Sequence, residues 1–355
     1  MERTRTLLVL ELDAPPRAGG PLLERLAARG LRGQVVEAGH SVFLRADWAD
    51  AAGRRQGERP PDLDDWRLPG VRRAFLQDEP FVLAGRAWQA QDTVVEARGH
   101  RLGGRELQVI AGPCSVESLE QMREVARAAA AAGAGWLRGG AYKPRSNPYH
   151  FQGLGEQALD YLRTAADESG LAVITEVLDA RDLSRVAERS DVLQVGSRNA
   201  QNFPLLKALG RCGRPVLLKR GFGCTLEELV LAAEYVMSHG NPGVVLCERG
   251  IRTFESATRF TFDINALPWL KARVHLPVVA DPSHGAGDAA LVPAVAKAAL
   301  AAGADGLMFE IHPHPAQSAS DADQALSLEE FARLAVELKI LAAALGRPWR
   351  GGDAA

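Results

Sequence analysis

Eight short apolar runs in this sequence are each followed by residues that can do chemistry. The runs lie between residues 107 and 311, and the groups that follow them are a thiol, guanidinium and ammonium groups, carboxylates and an imidazole. If the runs are neighbouring parallel strands, these groups meet at one rim of a sheet or barrel, which predicts an active site there. In run order the residues are Cys114, Arg138, Glu176, Arg198, Lys219, Glu248 with Arg249, Asp281 with His284, and Glu310.

Three of these residues have the chemistry of a metal site. Cys114, His284 and Glu310 offer a thiolate, an imidazole and a carboxylate, and a second carboxylate comes from Asp321 or, equally well by chemistry, from Asp323. Mn, Fe, Co or Zn suits such a mixed set of donors. Cys114 could alternatively be half of a disulfide, a nucleophile or a small apolar residue of the core, but no activating base is evident on a neighbouring turn.

The remaining groups are mostly cationic and predict an anionic substrate. An arginine fork matches phosphate and carboxylate, and six cations on one rim would repel one another unless anions bind between them. The alternative is that each is a solvated charge at a strand end, which explains single residues better than the whole set. The six are Arg138, Arg198, Lys219 and Arg249, joined by Lys143 and Arg145 in the loop "GGAYKPRSNPYHFQG".

The pattern from residue 105 onward predicts the elements that carry these groups. The apolar runs alternate with segments of helical period, such as "SLEQMREVARAAAAAG" and "TLEELVLAAEYVMSHG", which is typical of repeated βα units with a parallel sheet. Eight units in about 250 residues match a (β/α)8 TIM barrel, whose active sites lie at the carboxyl ends of the strands. We therefore predict an α/β protein with a catalytic barrel in residues 105–350.

The first hundred residues have a different pattern. The runs "RTLLVLEL", "QVVEAG", "SVFLRA" and "VRRAFLQ" predict four strands, and "GPLLERLAARG" predicts a helix after the first of them. The order β-α-β-β-(short α)-β is typical of a small α+β ferredoxin-like domain, which we place at residues 1–85. Residues 86–104 are polar and contain glycine, and they predict a linker.

Composition excludes several classes of function. The net charge is −2 without a basic tail or charge block, which argues against a nucleic-acid or membrane-surface protein. No apolar stretch approaches the roughly 20 residues that span a bilayer. The four cysteines, with no C-x-x-C pair and no export signal, predict a reducing, cytoplasmic location.

The motifs of the predicted barrel resemble those of a known family. The chain resembles the microbial 3-deoxy-D-arabino-heptulosonate 7-phosphate (DAHP) synthases of the type I beta kind, which have an N-terminal ferredoxin-like regulatory domain. The resemblance covers essentially the whole barrel, whereas the first hundred residues match only in outline. The matching segments are "IAGPCSVES", "LRGGAYKPRSNPYHFQGLG", "ITEVLD", "QVGSRNAQNFPLL", "PVLLKRG", "LCERGIRTFE", "VVADPSHGAGD" and "FEIHPHPAQSASD".

The resemblance implies roles for individual residues and decides between Asp321 and Asp323 in favour of the first. The implied metal ligands are Cys114, His284, Glu310 and Asp321. The implied phosphoenolpyruvate ligands are Arg138, Lys143, Arg198, Lys219 and Arg249. Erythrose 4-phosphate would bind to Lys143, Pro144, Arg145 and Ser146, with Asp281 placing its aldehyde end. Ser146 stands where the family often has Thr, and Ser197 where Ala is common.

The family reaction condenses phosphoenolpyruvate, erythrose 4-phosphate and water to DAHP and phosphate, the first step of the shikimate pathway. A divalent cation (Mn2+, Fe2+, Co2+ or Zn2+) would act as a Lewis acid on the aldehyde oxygen, and the cationic side chains would stabilise developing charge. Lys143 is the implied proton donor to that oxygen. Glu176, or water on the metal, would activate the water that adds to C2. The family also suggests a homotetramer.

Three other functions fit parts of the sequence. The sister enzyme that makes 3-deoxy-D-manno-octulosonate 8-phosphate from arabinose 5-phosphate has a "KANRSS"-type loop where this chain has "KPRSNPY". A Schiff-base aldolase would use Lys219 as nucleophile, with Arg220 suppressing its charge, but would leave the metal donors without a role. A catalytically inactive regulatory barrel would have lost a ligand, and none is lost. The N-terminal domain would bind an aromatic amino acid effector or serve only oligomerisation.

Overall fold

The computed structural model describes residues 7–16, 20–39, 41–47, 62–145 and 147–349. Its larger part is a closed barrel of eight parallel strands, which confirms the predicted TIM barrel. Each strand hydrogen-bonds to the next along the chain, and the last pairs with both its predecessor and the first, which closes the ring. The first six strands described belong to other parts of the chain, so the barrel strands are β7 Gln108–Gly112, β8 Trp136–Arg138, β9 Ala172–Glu176, β10 Val192–Val195, β11 Val216–Lys219, β12 Val244–Glu248, β13 Val278–Ala280 and β14 Gly306–His312.

Helices follow the strands and cover the outside of the barrel. Thr225 and Glu228 form a capping box at one helix start, Ser327 and Glu330 at another, and Ser118 caps a third by accepting the Gln121 amide. The helices are α2 Leu119–Ala131, α3 Glu156–Ser169, α4 Leu183–Arg189, α5 Phe203–Leu209, α6 Leu226–Met237, α7 Ala266–Arg273, α8 Pro282–Ala286, α9 Val292–Ala301 and α10 Leu328–Ala344, the last preceded by the short strand β15 Leu326–Ser327.

Alternation along the barrel strands separates two buried layers. Ile110, Leu217 and Met308 belong to a cluster inside the barrel, whereas their neighbours, such as Val109 and Leu218, pack with the helices in a much larger outer cluster. Side chains on a strand alternate between its two faces. Among the side chains that point into the barrel, those at the start of each strand are apolar and those at its carboxyl end are polar. Apolar side chains therefore fill the amino-terminal part of the barrel interior, and the candidate functional groups lie at its carboxyl end.

The N-terminal region forms an antiparallel sheet of four strands, in which the first strand pairs with the third and the fourth, and the third also pairs with the second. A helix, α1, packs on one face through Leu26, and a 3-10 turn places Trp66 in the same core. Most of the Arg-, Pro- and Asp-rich loop before the last strand lies outside the described residues. The elements are β1 Leu7–Leu12, α1 Pro21–Ala28, β2 Gly33–Ala38, β3 Ser41–Asp47, the turn Leu63–Trp66 and β4 Val71–Gln77.

A two-stranded hairpin lies within the stretch for which composition predicts a linker. Its strands are β5 Val95–Ala97 and β6 His100–Leu102, and Val95 and Leu102 are both buried in the cluster inside the barrel. The His100 ring lies 5.8 Å from the Trp136 ring, at the start of β8. The hairpin thus closes the amino-terminal end of the barrel. Among the described residues, no helix has the length and apolar character needed to cross a membrane.

Candidate active site

Cys114 is fixed at the end of β7 by the chain that follows β8. The Gly140 amide donates to the Cys114 carbonyl at 3.1 Å, and the Val116 amide donates to the Gly140 carbonyl at 3.1 Å. Gly112 allows this close approach, since a β-carbon there would lie 1.9 Å from the Arg138 carbonyl oxygen. The motif "IAGPCSVES" therefore serves to press the thiol against the second strand end.

Four donor groups converge above β7, β13 and β14. Atoms of Cys114, His284, Glu310 and Asp321 that could each bind a metal all lie within 4.8 Å of one another. The Cys114 Sγ is 3.1 Å from Asp321 Oδ2, and His284 Nε2 is 3.3 Å from Glu310 Oε1. Asp323, the alternative carboxylate, is absent from this group among the described residues. The structure thus brings together the four residues that the resemblance implies.

The electrostatics of the group depend on burial. Burial, and then the charge of Glu310, raises the pKa of Cys114 to about 12. Burial also lowers the pKa of His284, although Asp281 and Glu310 act against it, and this favours the neutral imidazole that a metal requires. A bound divalent cation would have the opposite effect on the Cys114 thiol and lower its pKa, because a coordinated thiol is deprotonated. One thiol, one imidazole and two carboxylates therefore fit a borderline transition metal.

Asp281 lies behind His284, below the floor of the pocket. Its Oδ2 is 2.8 Å from His284 Nδ1 and 2.5 Å from Lys219 Nζ, and its Oδ1 accepts the His284 amide at 3.0 Å. Burial opposes its ionisation, but the contact with His284 and the charge of Lys219 hold the pKa of Asp281 well below its usual range. Asp281 therefore orients the imidazole so that Nε2 points toward the other donors.

A pocket of about 260 Å3 opens beside the donor group at the carboxyl end of the barrel. Cys114, Asp281 and Glu310 lie behind its surface, and Ser146 is outside the described residues. The predicted residues that line it are Arg138, Lys143, Pro144, Arg145, Glu176, Arg198, Lys219, Arg249, His284 and Asp321.

The cations of the pocket fall into two classes. Arg138 pairs with Glu310 at 2.9 Å, and Lys219 pairs with Asp281. In the described part of the chain, no carboxylate lies within ion-pair distance of Arg198 or Arg249, and burial lowers the pKa of Arg249. Positive charge without a protein counterion is what an anionic ligand needs.

Aromatic rings hold the unpaired arginines. Phe222 and Phe260 stack with centroids 5.3 Å apart, and the Arg249 guanidinium lies 4.0 Å from the Phe260 centroid and 5.1 Å from that of Phe222. Arg198 lies 5.4 Å from the Phe222 centroid. Cation–π contacts therefore orient both arginines without neutralising them.

Lys143 stands between the donor group and the pocket. Its Nζ donates to the Cys114 carbonyl and lies 2.9 Å from the Cys114 Sγ. Glu176, at the end of the neighbouring strand β9, also lines the pocket, and its Oε1 lies 2.1 Å from where a β-carbon at Gly196 would be. These two residues offer the pocket a proton donor and a carboxylate.

Sequence reasoning misplaced one residue, Glu248, and missed several others. Glu248 does not reach the rim, because its side chain faces outward and pairs with Arg220 at 2.8 Å in the buried layer between strand and helix. Glu248 is the last residue of β12 and points outward, whereas Arg249 follows the end of β12 and lines the pocket. The pocket or the donor group is also contacted by Gln194, Phe222, Arg259 and Gln324.

Comparison with known proteins places the chain in a family. A family profile described as "DAHP synthetase I family" matches residues 92–345, more than two thirds of the chain. The chain belongs to the DAHP synthetase I family. The family predicted from the sequence is thereby confirmed, and with it the prediction of a DAHP synthase.

Individual relatives agree with this assignment to the DAHP synthetase I family. The chain is 50% identical over 268 residues to the phospho-2-dehydro-3-deoxyheptonate aldolase of Thermotoga maritima, which covers 76% of this chain and 79% of that protein. A crystal structure of the DAHP synthase from Thermotoga maritima matches with a TM-score of 0.77 at 41% identity, covering 98% of this chain and 99% of that one. A 2-dehydro-3-deoxyphosphooctonate aldolase from Rhodopseudomonas palustris is 32% identical over 246 residues, or 64% of this chain and 85% of that protein.

Proposed function

We propose that this protein is a transferase that condenses phosphoenolpyruvate with erythrose 4-phosphate and water, giving DAHP and phosphate. The observation that carries the proposal is the placement of four metal-donor groups beside a pocket whose walls are cationic. One new C–C bond joins C3 of phosphoenolpyruvate to the aldehyde carbon, water adds at C2, and phosphate leaves. The identity of 50% to a relative of this name, against 32% to an octonate aldolase, favours the four-carbon aldehyde.

Cys114, His284, Glu310 and Asp321 would hold a divalent metal, Mn2+, Fe2+, Co2+ or Zn2+. When bound, the metal supplies Lewis acidity toward the aldehyde oxygen of the second substrate. The donor chemistry supports this, since the imidazole is oriented by Asp281 and the thiol has a lysine within 2.9 Å. Asp281 thereby acts on the aldehyde end through His284 rather than by direct contact.

Phosphoenolpyruvate would bind deep in the pocket. Arg198 and Arg249, which have no carboxylate partner in the described chain, are placed to neutralise its phosphate and carboxylate. Arg138 and Lys219 are buried, and among the described residues each forms an ion pair with one carboxylate, Glu310 or Asp281, so part of their donor capacity remains for substrate. Lys143 completes the set and reaches toward the second substrate.

Erythrose 4-phosphate would bind nearer the mouth, on the segment of residues 143–146. Arg145 donates its Nε to the Phe151 carbonyl, and the guanidinium is thereby turned toward the pocket that it lines. Lys143 would donate the proton that the aldehyde oxygen gains as the C–C bond forms. Glu176, which also lines the pocket, would take a proton from the water that adds to C2.

A Schiff-base mechanism on Lys219 has less support. Such a lysine needs a desolvated or cation-flanked amine, whereas Asp281 neutralises Lys219 at 2.5 Å. Arg220, the cation next in sequence, is paired with Glu248 and Asp263 and faces away.

We further propose that residues 1–85 form a ferredoxin-like regulatory domain that binds an aromatic amino acid, that residues 86–104 join it to a catalytic barrel of residues 105–350, and that the enzyme is a cytoplasmic homotetramer. The strand order of the sheet, β2-β3-β1-β4, supports the first part. Titrating Phe and Tyr into the full-length enzyme tests the effector. Activity that ignores both would leave the domain an oligomerisation role.

The decisive test is an assay of the purified protein with phosphoenolpyruvate and either erythrose 4-phosphate or arabinose 5-phosphate. We expect turnover with the four-carbon aldehyde, loss of turnover with EDTA, and recovery when a divalent metal is returned. Turnover only with arabinose 5-phosphate would assign the sister reaction. Turnover that EDTA does not affect, together with a borohydride-trapped adduct on Lys219, would overturn the metal mechanism, and no turnover with either aldehyde would indicate an inactive barrel.

A further inference from the structure

Two residues outside the donor group hold its carboxylates. The Gln324 amide nitrogen donates to Glu310 Oε2 at 2.5 Å, and Arg259 NH1 donates to Asp321 Oδ1 at 3.0 Å. Arg259 NH1 also donates to the Gln324 amide oxygen at 2.6 Å. Glu310, Gln324, Arg259 and Asp321 are therefore linked by one continuous chain of hydrogen bonds.

The direction of this chain is fixed by chemistry. A guanidinium can only donate and an ionised carboxylate can only accept, so the amide of Gln324 has one orientation that satisfies both neighbours. Gln324 is 1% exposed, so its amide is shielded from bulk solvent. A buried amide that joins a cation to a carboxylate couples their positions.

Each carboxylate keeps one oxygen for the donor group. Glu310 Oε1, the oxygen not held by Gln324, lies 3.3 Å from His284 Nε2 and also accepts from Arg138 NH1 at 2.9 Å. Asp321 Oδ2, the oxygen not held by Arg259, lies 3.1 Å from the Cys114 Sγ. The hydrogen-bond chain thus takes the outer oxygen of each carboxylate and leaves the inner one facing the thiol and the imidazole.

Asp321 depends on this support more than the other donors do. It lies in a loop, and its backbone has φ 52° and ψ 42°, a left-handed conformation that is uncommon for residues other than glycine. Arg259, in turn, packs its stem against Gly287, where a β-carbon would lie 2.4 Å from the arginine Cβ. Gly287 ends the helix that carries His284, so Arg259 contacts the segments of two ligands.

We propose that Gln324 and Arg259 are positioning residues that hold Glu310 and Asp321 with one oxygen each directed at the metal. The inference rests on the proposed metal role of the four donors. Neither residue would contact the metal itself. Because outer hydrogen bonds fix the orientation of ligands, their loss weakens metal binding by about 10- to 100-fold.

The test is a Co2+ titration of the metal-free full-length protein without substrates, followed by visible absorption. We expect Gln324→Met to weaken Co2+ binding about 10- to 100-fold and to change the d–d bands, while the thiolate-to-Co2+ band from Cys114 remains. Gln108→Met is the matched control, since Gln108 is a fully buried glutamine that bonds to Trp136 at the other end of the barrel. It should bind Co2+ like the wild type.

Arg259 supplies a second pair of variants at an exposed position, for the case that Gln324→Met does not fold. Arg259→Met should weaken Co2+ binding, and Arg259→Lys, which keeps one donor, should recover part of the loss. Wild-type affinity and an unchanged spectrum in folded Gln324→Met, or in Arg259→Met, would overturn the inference. The wild-type Co2+ spectrum should contain a thiolate band, and Cys114→Ser should remove it. If the band is missing from the wild type or persists in Cys114→Ser, the metal site is wrong and the inference fails with it.

Discussion

Glu234 of α6 carries a prediction about the junction between the N-terminal sheet and the barrel. Its Oε1 accepts the amide of Ala84 at 2.6 Å, in the segment that leads from the sheet toward the barrel. Burial raises the pKa of Glu234 to about 7, although the hydrogen bonds from Ala84 and its neighbours act to lower it. Between pH 4.5 and about pH 7, Glu234 is therefore protonated in the folded protein but ionised in the unfolded chain.

The sign and size of the effect follow from this difference. Between the ordinary pKa of 4.5 and the folded value of about 7, the folded state holds more protons, so the contribution of Glu234 to the free energy of unfolding falls as the pH rises. A difference of about 2.5 pKa units corresponds to about 3 kcal/mol. Glu234→Gln keeps an acceptor for the Ala84 amide and does not titrate. The variant should therefore gain stability relative to the wild type as the pH rises, by up to about 3 kcal/mol between about pH 5 and about pH 8.

Urea denaturation of the two proteins at both pH values, at fixed metal concentration, measures this gain. Glu227→Gln is the matched control, because Glu227 is an exposed glutamate on the same helix. Its difference from the wild type should be the same at both pH values. If Glu234→Gln also shows a constant difference, the carboxylate ionises normally at the junction and the reasoning is wrong.

Three further predictions concern the active site. Cys114→Ser should remove most turnover and metal binding while the thermal midpoint stays near that of the wild type, and normal metal-dependent turnover would return Cys114 to the role of a core residue. Phe222→Leu should raise KM for phosphoenolpyruvate about 5-fold with little change in kcat, since cation–π contacts with residues such as Arg249 are worth about 1 kcal/mol; steady-state kinetics with an unchanged KM would contradict this. Gly196→Ala would place a methyl group against Glu176 and, by displacing the carboxylate, should lower kcat by roughly 100-fold, whereas a circular dichroism spectrum like that of the wild type with undiminished kcat would remove Glu176 from the mechanism.

The barrel could be predicted from the sequence because its signal is repeated eight times. Each unit pairs a short apolar run with a helical segment, and a closed ring follows from the number of units. The hairpin at Val95–Ala97 and His100–Leu102 could not be predicted in this way, because three-residue strands among polar neighbours have too few positions to show alternation. Its two buried apolar residues, Val95 and Leu102, are held by the barrel interior and not by local preference.

The donor group could be predicted to the extent that it lies directly after strands. Cys114 and His284 follow strand ends and Glu310 lies near the carboxyl end of its strand, so the fold alone brings them together. Asp321 lies in a loop, where sequence could not choose between it and Asp323. Gln324 gave no signal at all, since its role depends on pairing with an arginine 65 positions earlier in the chain.

Register explains the one misplaced residue, Glu248. Glu248 and Arg249 are adjacent, but side chains on a strand alternate between faces, so only one of the two can enter the barrel. Deciding which requires the phase of the strand, and Cys247, which lies inside, sets it. Arg249 shares the side of Cys247, and Glu248 is left to neutralise Arg220 in the outer layer.

In the described part of the chain, the hairpin and the apolar interior cover the amino-terminal end of the barrel, and the pocket opens at the carboxyl end. Every molecule that enters must leave by the way it came, so a molecule lying deep cannot depart past one that lies above it. With phosphoenolpyruvate on the deep cations and erythrose 4-phosphate near the mouth, as proposed, the three-carbon substrate arrives first. The phosphate that it releases is then trapped beneath the new sugar acid. Binding and release through one opening thus follow a fixed order, in which the molecule that binds first is the last to be released.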